Sequence, residues 1–478
     1  MKKYLFAFAI CAFCLPTLFG AGKKDMVAML NKLNQGVVNI ETTIVHSAYK
    51  NVGITGGTGF LVNKEKGVFL TNAHVVSPGS VCRYTVRFAD GKEAKAKLIY
   101  YDPWQDFAFL EINPKDIPEQ TEALQLKPNS VVENEEVFII GNNGGKEYSF
   151  LSGRVASRFE SMGYFPNQSF RITLNNAPGS SGSPVLNMNG EVVGIVHSGN
   201  SESSAFALPM EYIADSLKEI LAQRIPSRQH FGALVEYASL DKTEKFLKLP
   251  AEVSADYIKK YPSAKRRILR VWTVLKGSPA DGLLFPGDVV MSVNGRFVGP
   301  NVYELDKQIN DSTEPLTLEV YRYGEKVSVT VKTYNLQQHK INRIVTAGGA
   351  MFYSIDDLLR LQTGAAPGLV FVTNVQRGGS FYYAPIPAIP ETDKTLISIE
   401  KINQTRIKNL DDVIGFFAAI QDESDLVIQY SYFGYYHTYA RSFMFNQGTQ
   451  IAEVTYNPND GQLMVFEFSD KEKDWIKK

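Results

Sequence analysis

The chain has 478 residues and a 44% hydrophobic content, enough for about three packed domains rather than a single core. Lys plus Arg and Asp plus Glu balance at 50 each, which excludes the strong global charge that draws nucleic acid or membrane surfaces. Of the three cysteines, Cys11 and Cys14 sit in an N-terminal apolar run, and Cys82 alone remains beyond it; cores rather than disulfides must hold the fold.

Met1-Lys2-Lys3 followed by apolar residues 4–19 reads as a secretory signal peptide over residues 1–22, with Gly20-Ala21-Gly22 as its cleavage region. An uncleaved anchor is the alternative, although the run is short for a bilayer span. On this reading the protein is exported, periplasmic in a Gram-negative setting, with no stable membrane insertion after signal removal. Residues 25–33 then look helical and 37–45 extended. Short apolar runs separated by turns continue to about residue 200, the pattern of a pair of Greek-key barrels.

Three positions along these strands carry chemistry. His74 follows the apolar run Val68-Phe69-Leu70, and Asp106 stands directly before Phe107-Ala108-Phe109-Leu110. Ser181 lies in Pro178-Gly179-Ser180-Ser181-Gly182-Ser183-Pro184, ahead of the strand Val192-Val193-Gly194-Ile195-Val196. A Gly/Ser run alone is usually a turn, and a lone His or Asp is usually structural. The chain order His, Asp, Ser is that of the chymotrypsin architecture, with a nucleophilic Ser181 and backbone amides of Gly179 and Ser181 as an oxyanion hole.

Gly57-Thr58-Gly59-Phe60, Thr71-Asn72-Ala73-His74, Gln105-Asp106-Phe107-Ala108, Ile139-Ile140-Gly141-Asn142 and Pro178 to Gly182 resemble the protease domain of the HtrA (Deg-type) family of trypsin-like serine proteases. Ser180 and Ser183 depart from the Asn and Gly common in that family. Ser-Gly-Ser-Pro also occurs in glutamyl endopeptidases, which receive an acidic P1 side chain on a histidine of the following strand. Counting along that strand puts Val196 at the pocket wall and turns His197 toward Asp106, so a small aliphatic P1 residue is expected. Val196, His197 and Ser198 are the candidate substrate-binding residues.

The resemblance implies a mostly β protein: a chymotrypsin-like double β-barrel over 23–223, a PDZ domain over 229–336, a degenerate PDZ-like domain over 345–440, and strands with a charged tail over 441–478. Residues 209–223 look helical, with Ile213, Leu217, Ile220 and Leu221 on one face. Residues 224–228 read as a stiff linker. Phe231-Gly232-Ala233-Leu234 stands where PDZ domains carry their carboxylate-binding loop. Lys259, Lys260, Lys265, Arg266 and Arg267 form a local basic patch that reads as a solvated face. In the second PDZ-like segment, residues 382–390 look inserted and Asp393-Lys394-Thr395 replaces the usual Gly-Asp.

The function these features imply is an ATP-independent serine endopeptidase acting on misfolded or damaged polypeptides, with C-terminal peptides as PDZ ligands and a homotrimer or larger assembly. No cofactor, no metal and no nucleic-acid partner are expected. A PDZ-based binding protein or chaperone with a latent protease domain, or a glutamyl endopeptidase, are the competing readings.

Overall fold

The structure is a computed structural model that describes residues 18–47, 52–102, 104–161, 168–200, 204–312, 315–373, 375–384, 386, 396–438 and 441–478. Most of the expected signal segment, most of the insertion at 382–390 and the Asp393-Lys394-Thr395 stretch lie outside the described residues.

Helix α1 (Leu18–Asn34) leads into the first barrel and runs through Gly20-Ala21-Gly22, the stretch read from the sequence as a cleavage region. Strands β1 (Val37–Ser47), β2 (Gly53–Asn63), β3 (Val68–Thr71), β4 (Ser80–Arg87), β5 (Glu93–Asp102) and β6 (Phe107–Glu111) close in the order β1-β2-β3-β6-β5-β4. Alternation drives this closure: along β4, Val81 to Arg87 switch between inside and outside at each step, so one face enters the core with Val38, Leu61 and Phe69.

The second barrel repeats the plan. Strands β7 (Glu136–Asn143), β8 (Lys146–Glu160), β9 (Ser169–Thr173), β10 (Pro184–Leu186), β11 (Val192–Asn200) and β12 (Ser204–Pro209) close as β10-β11-β12-β9-β8-β7. A third cluster joins the barrels, with Phe60, Leu70 and Phe107 of the first against Ile140, Leu186 and Leu208 of the second. Ile213 and Leu217 of helix α2 (Glu211–Leu221) seal it, with Ile220 and Leu221 of the expected face packed at its margin. Burying both barrels against one apolar seam fixes the cleft between them.

Beyond α2, the strands Ala233–Ser239, Arg267–Val274, Val289–Val293, Leu316–Arg322 and Glu325–Val331 form a sheet, with helix α3 (Val302–Asn310) packed on its core. The last sheet has nine strands and includes Ser424–Thr438, Arg441–Tyr456, Met464–Ser469 and Asp474–Lys477. The strands after residue 440 are therefore part of the same sheet as the segment before it. The basic patch is not simply solvated: Lys265 pairs with Glu133 at 3.0 Å, and Arg267 with Glu160 at 3.3 Å, pinning this domain to the second barrel. Among the described residues no helix is long and apolar enough to cross a membrane.

Candidate active site

His74 sits in the turn that follows β3, and Asp106 in the turn that precedes β6. Because β3 and β6 are paired neighbours, the two turns meet at one end of the first barrel. The His74 Nδ1 lies 2.8 Å from Asp106 Oδ2, and the His74 backbone N–H donates to Asp106 Oδ1 at 2.9 Å. The carboxylate thus grips both the ring and the backbone of the same residue, which fixes the ring plane and leaves Nε2 on the far edge.

Asp106 is fully buried and adopts φ 56°, a left-handed conformation uncommon for a residue with a Cβ. Two side chains support it. Asn72 donates from Nδ2 to the Asp106 carbonyl at 2.8 Å, and Asp102 Oδ1 accepts the Trp104 and Gln105 amides at 3.0 Å each. An aspartate that caps the amides two and three residues on makes a self-contained turn. Neither Asn72 nor Asp102 emerged from sequence reasoning, although Asn72 stands in a motif singled out there and Asp102 only four residues before Asp106.

The loop of Ser181 comes to β2 from the second barrel. The Thr58 N–H of β2 donates to the Ser181 carbonyl at 2.8 Å, and Thr58 Oγ1 donates to the Gly179 carbonyl at 2.9 Å. A Cβ placed on Gly57 would come within 2.8 Å of Val75 and 2.9 Å of the Ser181 carbonyl. The glycine therefore lets the loop of His74 and the loop of Ser181 close on one point of β2. Gly182, at φ 87°, has its Cα so near β2 that an added Cβ would stand 1.8 Å from the Thr58 carbonyl.

The amide directions in this loop are set from behind. The Pro178 carbonyl accepts from Gly144 N–H at 3.0 Å, and the Ser180 carbonyl accepts from Ser183 N–H at 3.0 Å. In a trans peptide the N–H points opposite to the carbonyl, so the Gly179 and Ser181 amides are turned away from these anchors. Asn143 completes the support through Oδ1, which accepts the Ala177 amide at 2.6 Å and the Ser180 hydroxyl at 3.0 Å. Ser180, at the position that departs from the family pattern, thus takes a structural role.

On β11 the register against β12 slips between Val196 and Ser198, so His197 is the extra residue of a bulge. Val196 packs with Val155 and Ala205 in the core of the second barrel. His197 accepts or donates at both ring nitrogens, 2.8 Å from Ser169 Oγ and 3.1 Å from Ser198 Oγ. Burial pulls its pKa down to about 4, with Asp106 acting against that shift and His74 adding to it. The neutral form of the ring is therefore the stable one. Asn176 was not foreseen: its Nδ2 donates to the Ser198 carbonyl at 3.2 Å, and its side chain lies directly over Gly199.

The loop Phe231-Gly232-Ala233-Leu234 is not an open carboxylate nest. Phe231, Ala233 and Leu234 are buried, and the Gly232 N–H donates to His230 Nδ1 of its own chain at 2.9 Å. His230 stacks on Phe231 and meets, at a tilt of 53°, Trp104, which comes from the turn that carries Asp106. Leu234 packs with Trp104 and with Leu358 and Leu361 of the next domain. The structure thus covers this loop with neighbouring domains.

Among the described residues no group of His, Cys, Asp and Glu is set to hold a metal ion. Residues 57–195 match the trypsin-like peptidase domain family. The chain is 30% identical over 424 residues to the pro-apoptotic serine protease NMA111 of Meyerozyma guilliermondii, covering 86% of this chain and 41% of that protein. The corresponding protein of Scheffersomyces stipitis is 29% identical over 422 residues, covering 86% and 42%. The chain therefore spans about two fifths of the length of these curated relatives. Among solved structures, the HtrA-type protease AlgW with a tripeptide has a TM-score of 0.49 and 23% identity, covering 65% of this chain and 97% of that one. The serine endoprotease from Yersinia pestis has a TM-score of 0.44 and 19% identity, covering 65% and 98%.

The fungal relatives correct one expectation. A signal-directed, exported and periplasmic protein was read from the N-terminal run, but these relatives are fungal proteins that are neither exported nor periplasmic. Positive charge before an apolar run is a compositional signal that an address-free segment can share. The peptidase-domain match and an alignment to serine proteases running through most of the chain support an HtrA-family trypsin-like serine protease.

Proposed function

We propose that the chain is a serine endopeptidase in which Ser181, His74 and Asp106 act as one unit. His74 takes the Ser181 proton through Nε2 as Oγ attacks the scissile carbonyl, then returns it to the leaving amine. Asp106 holds the tautomer with the proton on Nδ1 and stabilises the imidazolium. The Gly179 and Ser181 amides receive the oxyanion of the tetrahedral intermediate. The observation that carries this reading is the double grip of Asp106 on His74, in a loop that Gly57 brings against the loop of Ser181.

The acyl half of the substrate lies extended along β11. Strand β10 pairs with β11 only up to Ile195, which leaves the edge beyond Val196 for a substrate strand. Asn176 over Gly199 narrows the pocket beside that edge, in keeping with a small aliphatic P1 residue such as Val, Ala or Ile. His197 is already engaged by Ser169 and Ser198, so no histidine is offered to an acidic P1 side chain, which weighs against the glutamyl endopeptidase reading. Unfolded polypeptide, which alone presents a long extended segment, is the substrate class this cleft suits.

Ser181→Ala and His74→Ala are expected to lower kcat by about a thousandfold or more each, with the double variant little worse than either. Casein hydrolysis and an internally quenched peptide measure this. Wild-type turnover by purified Ser181→Ala would end the assignment.

A further inference from the structure

A cleft of about 380 Å³ opens beside Pro178 and Gly179, just ahead of Ser181 in the chain, and no residue of β11 lines it. Its floor is the outer face of β1, β4 and β5, and its walls are Ile54 to Gly57 of β2 and the hairpin joining β7 to β8. If the acyl half of a substrate follows β11, the leaving-group half must cross this cleft. That step rests on the function proposed above.

Two features of the lining point to a peptide ligand. Asn39 is 7% exposed and lines the cleft, yet its Nδ2 has no hydrogen-bond partner. Asn142 lines it too, with an Oδ1 that is likewise buried and without a partner. A donor and an acceptor left open in this way cost free energy until a ligand supplies both complements, as a peptide backbone does.

The charges of the lining are unequal. Glu41, Glu93 and Glu147 face it with a single cation, Arg87, which is ion-paired to Glu147 across the cleft rim. Among the described residues no ion pair joins Glu41 or Glu93. The cross-strand register explains how they gather: Arg87 pairs with both Asn39 and Glu93, and Glu41 pairs with Gly56, which has no side chain to cover it. Ile54, 72% exposed, supplies an apolar wall beside them. An apolar ledge leading to carboxylates fits a side chain with a methylene stem and a cationic head.

We propose that this cleft is a leaving-group subsite that selects lysine or arginine within the first residues after the scissile bond, with Glu41 and Glu93 as its specificity residues. The backbone of the same segment is held by Asn39 and Asn142.

The test uses the full chain and internally quenched peptides with one fixed acyl half and Arg, Lys, Ala or Glu at the first and second positions after the scissile bond. A fluorogenic amide carrying only the acyl half is run beside them. Arg or Lys at one of these positions is expected to exceed Glu by about tenfold or more in kcat/KM, the weight of one favourable charge contact. In Glu41→Gln/Glu93→Gln that ratio falls toward unity, and in Glu41→Lys/Glu93→Lys it inverts in favour of Glu. A ratio is read because it cancels any general loss of activity. Equal rates for all four residues, or a basic preference that survives the double Gln variant, overturns the proposal. Failure to cleave the fluorogenic amide at all would instead overturn the peptidase reading.

Discussion

Gln105 donates from Nε2 to Asp306 Oδ2 at 3.0 Å, across 201 positions of sequence. The residue next to Asp106 is thereby tied to helix α3 of the following domain. Asp306 also accepts from Tyr212 at 3.2 Å and from Arg228 at 3.2 Å, and Arg228 reaches Asp102 at 3.5 Å. Burial works against the charge of Arg228, but Asp306 and Asp102 outweigh it and raise its pKa above the usual value. The turn that shapes Asp106 and the helix of the next domain thus share one buried cation.

Asp306→Ala is expected to leave Arg228 with half its compensation and Gln105 without an acceptor. Removing one partner of a buried pair costs about 3–5 kcal/mol. Asp306→Asn, which keeps a carbonyl for Gln105 and Tyr212, should lose less stability and retain more kcat. Urea unfolding and peptide turnover measure the two effects; equal behaviour of both variants with wild type would show that the turn stands without the helix.

Truncation after Gln223 removes Arg228 and exposes Trp104, which packs with Leu234, Leu275 and Leu336. Asp102 would keep its burial on the barrel side while losing its cation. Loss of activity is therefore expected on a short peptide and on unfolded casein alike. Selective loss on casein would mean that the later domains serve substrate capture rather than the catalytic turn.

Gly182→Ala should abolish activity. The new methyl would stand 1.8 Å from the Thr58 carbonyl, at a φ of 87° that disfavours any Cβ. Backbone cannot yield as a flexible side chain does, so the Ser181 loop must lift from β2, at a cost of more than about 3 kcal/mol. Thermal unfolding with and without the substitution checks this, and an unshifted Tm would contradict the close approach.

Acid should destabilise the fold through two histidines. Burial lowers the pKa of His197 to about 4 and that of His230 to about 3, with Asp106 opposing the first shift and Arg228 adding to the second. In the unfolded chain each imidazole titrates near about 6.5. Between those values the unfolded state binds more protons, so stability rises with pH there and is lost as pH falls from about 6.5 toward 4 and below. Each group contributes a slope of about 1.4 kcal/mol per pH unit across its window. His230→Gln, which keeps an acceptor for the Gly232 amide, should flatten the dependence of Tm on pH in this range. An unchanged slope would mean that His230 is free to protonate in the fold.

Sequence alone determined the strand-rich plan and the three residues to watch. Apolar alternation in Val81 to Arg87 and apolar runs such as Phe107 to Leu110 are local patterns, and a strand obeys them wherever it is placed. The tertiary structure decided the rest. The bulge at His197 depends on the pairing of β11 with β12, and Asn176 meets Gly199 only once β11 is in place. Nothing near Phe231 in the chain announces that His230 takes the Gly232 amide while Trp104 packs at a tilt against its ring. Asp102, Arg228 and Asp306 each read as ordinary charged residues, and only burial in one junction makes them depend on one another. Local patterns fix backbone conformation through short-range sterics and burial, whereas the partner of a buried polar group is chosen by whichever distant segment excludes its water.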